Sequence, residues 1–106
     1  MNVTELTEQA ARGAGYRLRW LNGGLGYVPS IDGASAWTPL TDDGQCARLE
    51  VACRLSIDVT EFGVLSERVD GIACFEAFSK HSGDRDKARR MASVRAAAEI
   101  GKAGAK

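Results

Sequence analysis

The chain has 106 residues and equal numbers of acidic and basic side chains, so its formal net charge is zero. The length suits one domain with its own core, and the apolar share of 44% with a charged share of 26% is typical of folded soluble proteins. Zero net charge gives no overall support to nucleic-acid binding or DNA mimicry, and neither a membrane span nor a signal peptide is indicated, so we expect a cytoplasmic protein.

The first third of the chain predicts a helix followed by a hairpin. Residues 3–13 have an acidic first turn and small apolar side chains on one side. Residues 16–21 alternate between large apolar side chains and arginines, which predicts a half-buried strand. An Asn-Gly-Gly turn signal at residues 22–24 leads to a second strand over residues 25–28, which Pro29 should end. These glycines lie inside a hairpin, so they do not indicate a phosphate-binding loop.

The clearest helix start lies in the segment 37–55. Pro39 keeps the preceding residue extended, and Thr41 can cap the helix by accepting a hydrogen bond from a first-turn amide. Two aspartates follow where the helix dipole favours negative charge, which is the simplest interpretation of that pair. The segment therefore predicts an extended approach followed by a capped helix.

An apolar stripe runs along this predicted helix. Cys46, Leu49 and Cys53 recur at helical spacing, whereas Glu50 should face solvent. Cys46 and Cys53 would lie about 10.5 Å apart along the helix axis, too far for a disulfide bond. We therefore interpret the cysteines, including Cys74, as reduced core residues.

The second half of the chain predicts another hairpin. Residues 55–62 alternate and predict a strand, residues 63–67 should turn, and residues 69–78 predict the partner strand. Both faces of this last strand carry apolar residues, which indicates that elements cover it on both sides.

A final helix begins after Ser82 or Asp84, either of which can cap it. Its predicted apolar stripe consists of Met91, Val94, Ala97 and Ala98. Gly101 should end the helix and leave residues 102–106 as a frayed tail. We therefore expect a single α+β domain over residues 1–101, with a four-stranded antiparallel sheet from two hairpins and three helices packed on both of its faces in α-β-α layers.

Two segments resemble a family of phage proteins. Residues 37–49 read W-T-P-L-T-D-D-G-Q-C-A-R-L, and residues 94–101 read V-R-A-A-A-E-I-G. They resemble small tailed-phage and prophage proteins similar to the phage ABA-sandwich domain family, which carry W-N-P-L-T-D-D-G-D-A-L-R-L and a similar final helix. Positions 38, 45, 46 and 47 depart from that pattern. The resemblance implies a sheet between helical layers and a phage origin, hence the host bacterial cytoplasm, and it supplies no catalytic residues.

The zero net charge conceals two oppositely charged segments. Residues 40–79 contain eight acids and three bases, whereas residues 80–106 contain eight bases and three acids. Such segregation can steer a charged partner. The candidate protein-binding residues on the acidic hairpin are Asp58, Glu61, Glu67, Asp70 and Glu76. The candidate nucleic-acid-binding residues on the basic helix are Arg85, Lys87, Arg89, Arg90 and Arg95. A solvated helix face that pairs with the acidic hairpin is the simplest interpretation of the basic set.

The sequence gives little indication of catalysis. His81 is the only histidine, and a Cys–His pair that uses Cys74 or another cysteine is the one enzyme hypothesis. The spacing of cysteine and histidine does not favour a metal site, and we expect no cofactor. The favoured hypothesis is a non-catalytic, phage-encoded protein that binds another protein, such as a host antiviral defence component, and blocks it. The alternative is a phage accessory protein that binds nucleic acid through the basic helix.

Overall fold

The computed structural model describes residues 2–22, 26–33 and 35–104. In chain order the elements are α1 (Val3–Gly13), β1 (Arg19–Asn22), β2 (Tyr27–Ser30), α2 (Asp43–Ala52), β3 (Ser56–Val59), β4 (Gly63–Glu67), β5 (Ala73–Ala77), a short 3₁₀ helix (Phe78–His81) and α3 (Arg85–Gly104). The strands form two antiparallel sheets, β1–β2 and β3–β4–β5. The α+β class is confirmed, whereas the single four-stranded sheet is wrong for the part of the chain that the structure describes.

The first hairpin differs from the expected one in its second strand. Pro29 does not end that strand but lies inside β2, opposite Trp20 of β1. A two-stranded sheet tolerates proline because each strand has one edge where an amide donor is not needed. The carbonyl of Pro29 accepts a hydrogen bond at 2.7 Å from the Trp37 amide, which joins the hairpin to the segment before α2. The predicted turn at residues 22–24 falls largely on residues 23–25, outside the described ranges.

The sheet β3–β4–β5 contains one strand more than predicted because residues 63–67 form β4 instead of a turn. The actual turn lies between Thr60 and Gly63, where the Thr60 amide donates to the Gly63 carbonyl at 2.9 Å. The Thr60 hydroxyl also accepts from the Gly63 amide at 3.1 Å. Gly63 is required by close packing: a Cβ there would lie 2.4 Å from the Glu76 carbonyl oxygen and 2.6 Å from the Phe75 ring.

One face of the three-stranded sheet packs on α3 and the other is open. Val64 and Ser66 point towards α3 and are buried. Leu65 and Phe75 are opposite each other on the other face, where Phe75 is 46% exposed. Since α1 and α2 pack against α3, the predicted helical cover on both faces of the sheet is not observed among the described residues.

The long helix α3 lies at the centre of the fold. Its buried residues are Ala88, Ala92, Ser93, Val94, Ala96, Ala97, Ala98 and Gly101. Asp84 caps it, accepting from the Lys87 amide at 3.0 Å, so that predicted cap is confirmed. The helix continues through Gly101 to Gly104, so residues 102–104 are helical and not the predicted frayed tail. No helix in the described ranges is long and apolar enough to span a membrane.

Glycines allow α1 and α3 to approach each other closely. A Cβ on Gly13 would lie 2.0 Å from the Ala97 carbonyl oxygen, and one on Gly101 would lie 1.9 Å from the Gln9 carbonyl oxygen. Atoms cannot approach that closely without a shift of the backbone. The contact between the two helices therefore depends on the absence of a side chain at both positions.

We expect Gly101→Ala to lower the free energy of unfolding by about 1–3 kcal/mol, because α1 must move away from the added methyl group. The matched control is Gly104→Ala in the same helix, where no neighbouring atom lies within 4 Å of the added Cβ. Its effect should be neutral or stabilising by up to about 1 kcal/mol. Urea unfolding of both variants measures the difference, and equal effects would contradict the close helix contact.

Candidate functional site

A buried polar cluster centred on Glu50 joins α2, α3 and β4. Arg89 donates to Glu50 from Nε at 3.1 Å and from Nη2 at 2.5 Å. The Ser93 hydroxyl donates to Glu50 Oε2 at 2.5 Å and lies 3.3 Å from the Ser66 hydroxyl oxygen. Glu50 is only 6% exposed, so its predicted solvent position is wrong. Its burial is stabilised by partners on a helix that begins far later in the sequence, which helical spacing within α2 cannot reveal.

The three cysteines are free and buried, which confirms their prediction as core residues. Burial, reinforced by the charge of Glu50, raises the pKa of Cys46 to about 12. Burial likewise raises the pKa of Cys53 to about 11, and it raises the pKa of Cys74. Thiols in this state remain protonated at neutral pH and are weak nucleophiles.

A second buried carboxylate, that of Glu76, lies between β5 and α3. His81 Nε2 lies 3.0 Å from Glu76 Oε1, and Arg95 Nη1 donates to Oε2 at 2.5 Å. Burial raises the pKa of Glu76, but these contacts outweigh it and hold the pKa below its usual value. No hydrogen bond in the described structure joins His81 to a cysteine. The Cys–His enzyme hypothesis therefore gains no support from this geometry.

A third contact ties the basic helix to the first residue of α2 and to the segment before it. Arg90 donates to Asp43 Oδ1 at 2.6 Å and to the Leu40 carbonyl at 2.7 Å. Together with the pairs at Glu50 and Glu76, this gives three arginine–carboxylate ion pairs between the described residues of the acidic segment 40–79 and those of the basic segment 80–106. Part of the charge that is segregated along the sequence is thus neutralised within the fold.

The predicted nucleic-acid set is therefore largely engaged within the protein. Arg89, Arg90 and Arg95 each pair with a carboxylate. The Arg85 guanidinium lies 5.2 Å from the centre of the Phe78 ring, and Lys87 is exposed. Phosphate contacts through Arg89, Arg90 and Arg95 would compete with these ion pairs, two of which neutralise the buried carboxylates of Glu50 and Glu76.

The five predicted acidic residues do not form one surface. Glu76 is buried, and Asp70 accepts from Arg68 Nε at 2.9 Å in the turn after β4. Asp58, Glu61 and Glu67 are exposed, and no ion-pair partner for them exists among the described residues. Of the five predicted acids, Asp70 and Glu76 are thus paired within the protein, whereas Asp58, Glu61 and Glu67 remain available to contact a partner.

These three acids lie around exposed aromatic side chains. The pleat places Asp58, Leu65 and Phe75 in one row across the open face of the sheet. Glu61 and Phe62 lie in the turn between β3 and β4, and Phe62 is 70% exposed. We call this surface the acidic face; it consists of Asp58, Glu61, Phe62, Leu65, Glu67 and Phe75. The sequence indicated its acids, but its aromatic residues depend on the position of β4.

The remaining surface features suit binding better than chemistry. An apolar groove runs between the start of α1, the first hairpin and the segment before α2, and its walls include Val3, Trp20, Pro29, Pro39 and Leu40. The described residues that line it include no titratable side chain. Across the described ranges, no group of three or more His, Cys, Asp or Glu side chains is placed to hold a metal ion.

No protein-family model, curated protein or solved structure matches the chain.

If the arginines of α3 serve the fold, Arg89→Met should lower the free energy of unfolding by about 1–3 kcal/mol, since it leaves Glu50 buried without its counter-charge. Lys87→Met on the same helix removes an exposed charge and should change stability by less than about 0.5 kcal/mol. Urea unfolding of the two variants gives the comparison. A loss no larger for Arg89→Met than for Lys87→Met would contradict the structural role.

The depressed pKa of Glu76 predicts a specific acid dependence. Its contribution to stability is fully present above the ordinary value of 4.5 and is lost as the pH falls through the lower folded-state value. Glu76→Gln should therefore be less stable than the wild type at neutral pH and lose less stability on acidification. Unfolding curves recorded from neutral pH down to about pH 3 test this. Parallel losses in the two proteins would show that Glu76 is not the titrating group.

Proposed function

We propose that this chain is a non-catalytic protein-binding domain whose acidic face contacts a basic surface of another protein. The observation that carries the proposal is the combination of three exposed, unpaired carboxylates with two exposed phenylalanines on an open sheet face. Asp58, Glu67 and Phe75 lie on the open face itself, and Glu61 and Phe62 lie in the turn that joins β3 to β4. Among the other acids of the segment, Asp43, Glu50 and Glu76 pair with arginines of α3, and Asp70 pairs with Arg68.

The two kinds of residue on the acidic face have complementary roles in binding. Phe62 and Phe75 supply rigid aromatic area that a partner can bury, which is the usual source of affinity in interfaces. Asp58, Glu61 and Glu67 supply a negative field that speeds encounter with a basic partner and fixes its orientation. A surface of this composition favours a protein partner over a small molecule.

Nucleic-acid binding through α3 has less support. Three of its five candidate residues would have to leave Glu50, Asp43 and Glu76 in order to neutralise phosphates. The cost of leaving a buried carboxylate unpaired works against that exchange. Exposed carboxylates on the neighbouring sheet would also repel a phosphate backbone.

The resemblance of residues 37–49 and 94–101 to phage proteins extends the proposal to a biological setting. We propose that the chain is phage-encoded and acts in the cytoplasm of the bacterial host. Its partner would then be a host protein, such as an antiviral defence component, whose basic surface the chain covers and blocks. The mechanism is steric and electrostatic and needs no cofactor, metal or membrane.

The proposal is tested by comparing two double variants in affinity purification from host lysate. Glu61→Lys with Phe62→Ala alters the acidic face at side chains that make no ion pair or ring contact among the described residues. The matched control, Glu8→Lys with Val51→Ala, makes the same kind of change at exposed positions of α1 and α2. A partner retained by the wild type should bind the first variant at least about tenfold more weakly and the control with unchanged affinity.

Unchanged circular dichroism and urea unfolding establish that both variants are folded. The wild-type affinity should also fall as salt is raised, because the contact is electrostatic. Equal binding by the two variants, or no partner for the wild type, would contradict the proposed function.

A further inference from the structure

We infer that the partner is engaged by strand addition, with an extended segment of alternating basic and apolar side chains pairing along the outer edge of β3. This inference rests on the proposed function and specifies the conformation and sequence pattern of the partner. It is carried by two features of β3: its unpaired edge and the chemistry of its alternating side chains.

The first feature is a free row of backbone groups. β3 is the outermost strand of β3–β4–β5, and β4 is its one partner among the strands that the structure describes. The Thr60 amide donates to the Gly63 carbonyl, so Thr60 and Gly63 form a hydrogen-bonded pair. In an antiparallel ladder such pairs alternate with pairs that are not hydrogen-bonded, so the next hydrogen-bonded pair along β3 is Asp58 with Leu65. The backbone donors and acceptors of Ile57 and Val59 therefore point away from β4. No hydrogen bond from another described element satisfies them.

The second feature is the difference between the two faces of this edge. Asp58 projects onto the open face, where it begins the row that continues through Leu65 to Phe75. Ile57 and Val59 project to the opposite face; Ile57 packs against the core, and Val59 is 57% exposed. An added strand would place one side chain beside Asp58 and its neighbours beside the two apolar residues. A basic residue flanked by apolar ones matches both faces.

The same geometry disfavours a second copy of this chain as the added strand. An antiparallel pairing that used the outward groups of Ile57 and Val59 in both copies would be centred on Asp58. The two Asp58 side chains would then be directly opposite each other, and like charges at facing positions destabilise a sheet. A charged residue on a short edge strand is also a common protection against self-association. The edge is thus selective for a basic strand.

The test uses the isotope-labelled full chain and synthetic peptides as probes. The first probe is a capped peptide of about six residues in which lysine and valine alternate. The second has the same composition with all lysines before all valines, so its charge is identical but its strand pattern is lost. Amide shifts locate each peptide, and hydrogen exchange reports whether the Ile57 and Val59 amides become hydrogen-bonded.

Two variants separate strand pairing from simple charge attraction. Val59→Pro removes an outward-pointing donor while leaving the bonds between β3 and β4 intact. Asp58→Lys reverses the charge on the same edge without removing a backbone donor. Glu8→Lys serves as the charge control on α1, where the side chain is exposed and has no ion-pair partner in the described structure.

The expected result is that the alternating peptide slows hydrogen exchange of the Ile57 and Val59 amides about tenfold more than the second peptide, in which all lysines precede all valines. Val59→Pro and Asp58→Lys should each weaken binding of the alternating peptide by about tenfold, and Glu8→Lys should not. If Val59→Pro fails to fold, Asp58→Lys and the paired peptides still decide the outcome.

If both peptides perturb the acidic face equally without slowing exchange in β3, strand addition is wrong while the proposed function stands. If neither peptide perturbs the acidic face even at low salt, the proposal of a basic partner is contradicted as well.

Discussion

The buried carboxylate of Glu50 imposes the constraint on which the arrangement of the helices and the sheet depends. A carboxylate that is 6% exposed would cost several kcal/mol if it had no counter-charge and hydrogen bonds. Arg89 and Ser93 meet that requirement from α3, and Ser66 brings β4 into the same cluster. The position of α2 relative to α3 is therefore tied to the position of the sheet. The close contact between α1 and α3 then completes the core on another side of the same helix.

Sequence patterns correctly predicted those structural features that depend on contacts between residues close together in the sequence. The i, i+3 and i+7 spacing correctly predicted the burial of Cys46 and Leu49 in α2 and of Cys53 at its C-cap. The cap at Asp84 follows from its own first-turn contact. Two glycine interpretations were wrong for a shared reason. The sequence predicts a turn at Gly63 and a helix end at Gly101, yet each glycine allows a distant backbone segment to approach closely. A single sequence does not show which distant segment approaches a glycine, so the only explanation that it offers for the glycine is conformational freedom.

The acidic face, like the fold, could be predicted from the sequence only in part. Exposed acids on the second hairpin were expected, and Asp58, Glu61 and Glu67 are exposed. The separation of Glu76 from them was not predictable, because its partner Arg95 lies on a different element and the two meet only after α3 packs on β5. The pairing of Leu65 with Phe75 was not predictable either, since the two become neighbours only when residues 63–67 form a strand. Charge segregation in the sequence was therefore compatible with an external interface and with internal pairing, and the structure shows the internal pairing at Asp43, Glu50 and Glu76.

The central claim is that the charges of α3 neutralise internal carboxylates and thereby leave the acidic face as the uncompensated surface. A double-mutant cycle between Glu50→Gln and Arg89→Met tests that claim most directly, with the free energy of unfolding measured for the wild type, both single variants and the double variant. We predict a coupling free energy of about 1–3 kcal/mol, because the loss of Arg89 leaves a buried charge unpaired only when Glu50 is present. Additive effects, within about 0.5 kcal/mol, would show that the two side chains do not depend on each other and would contradict the account.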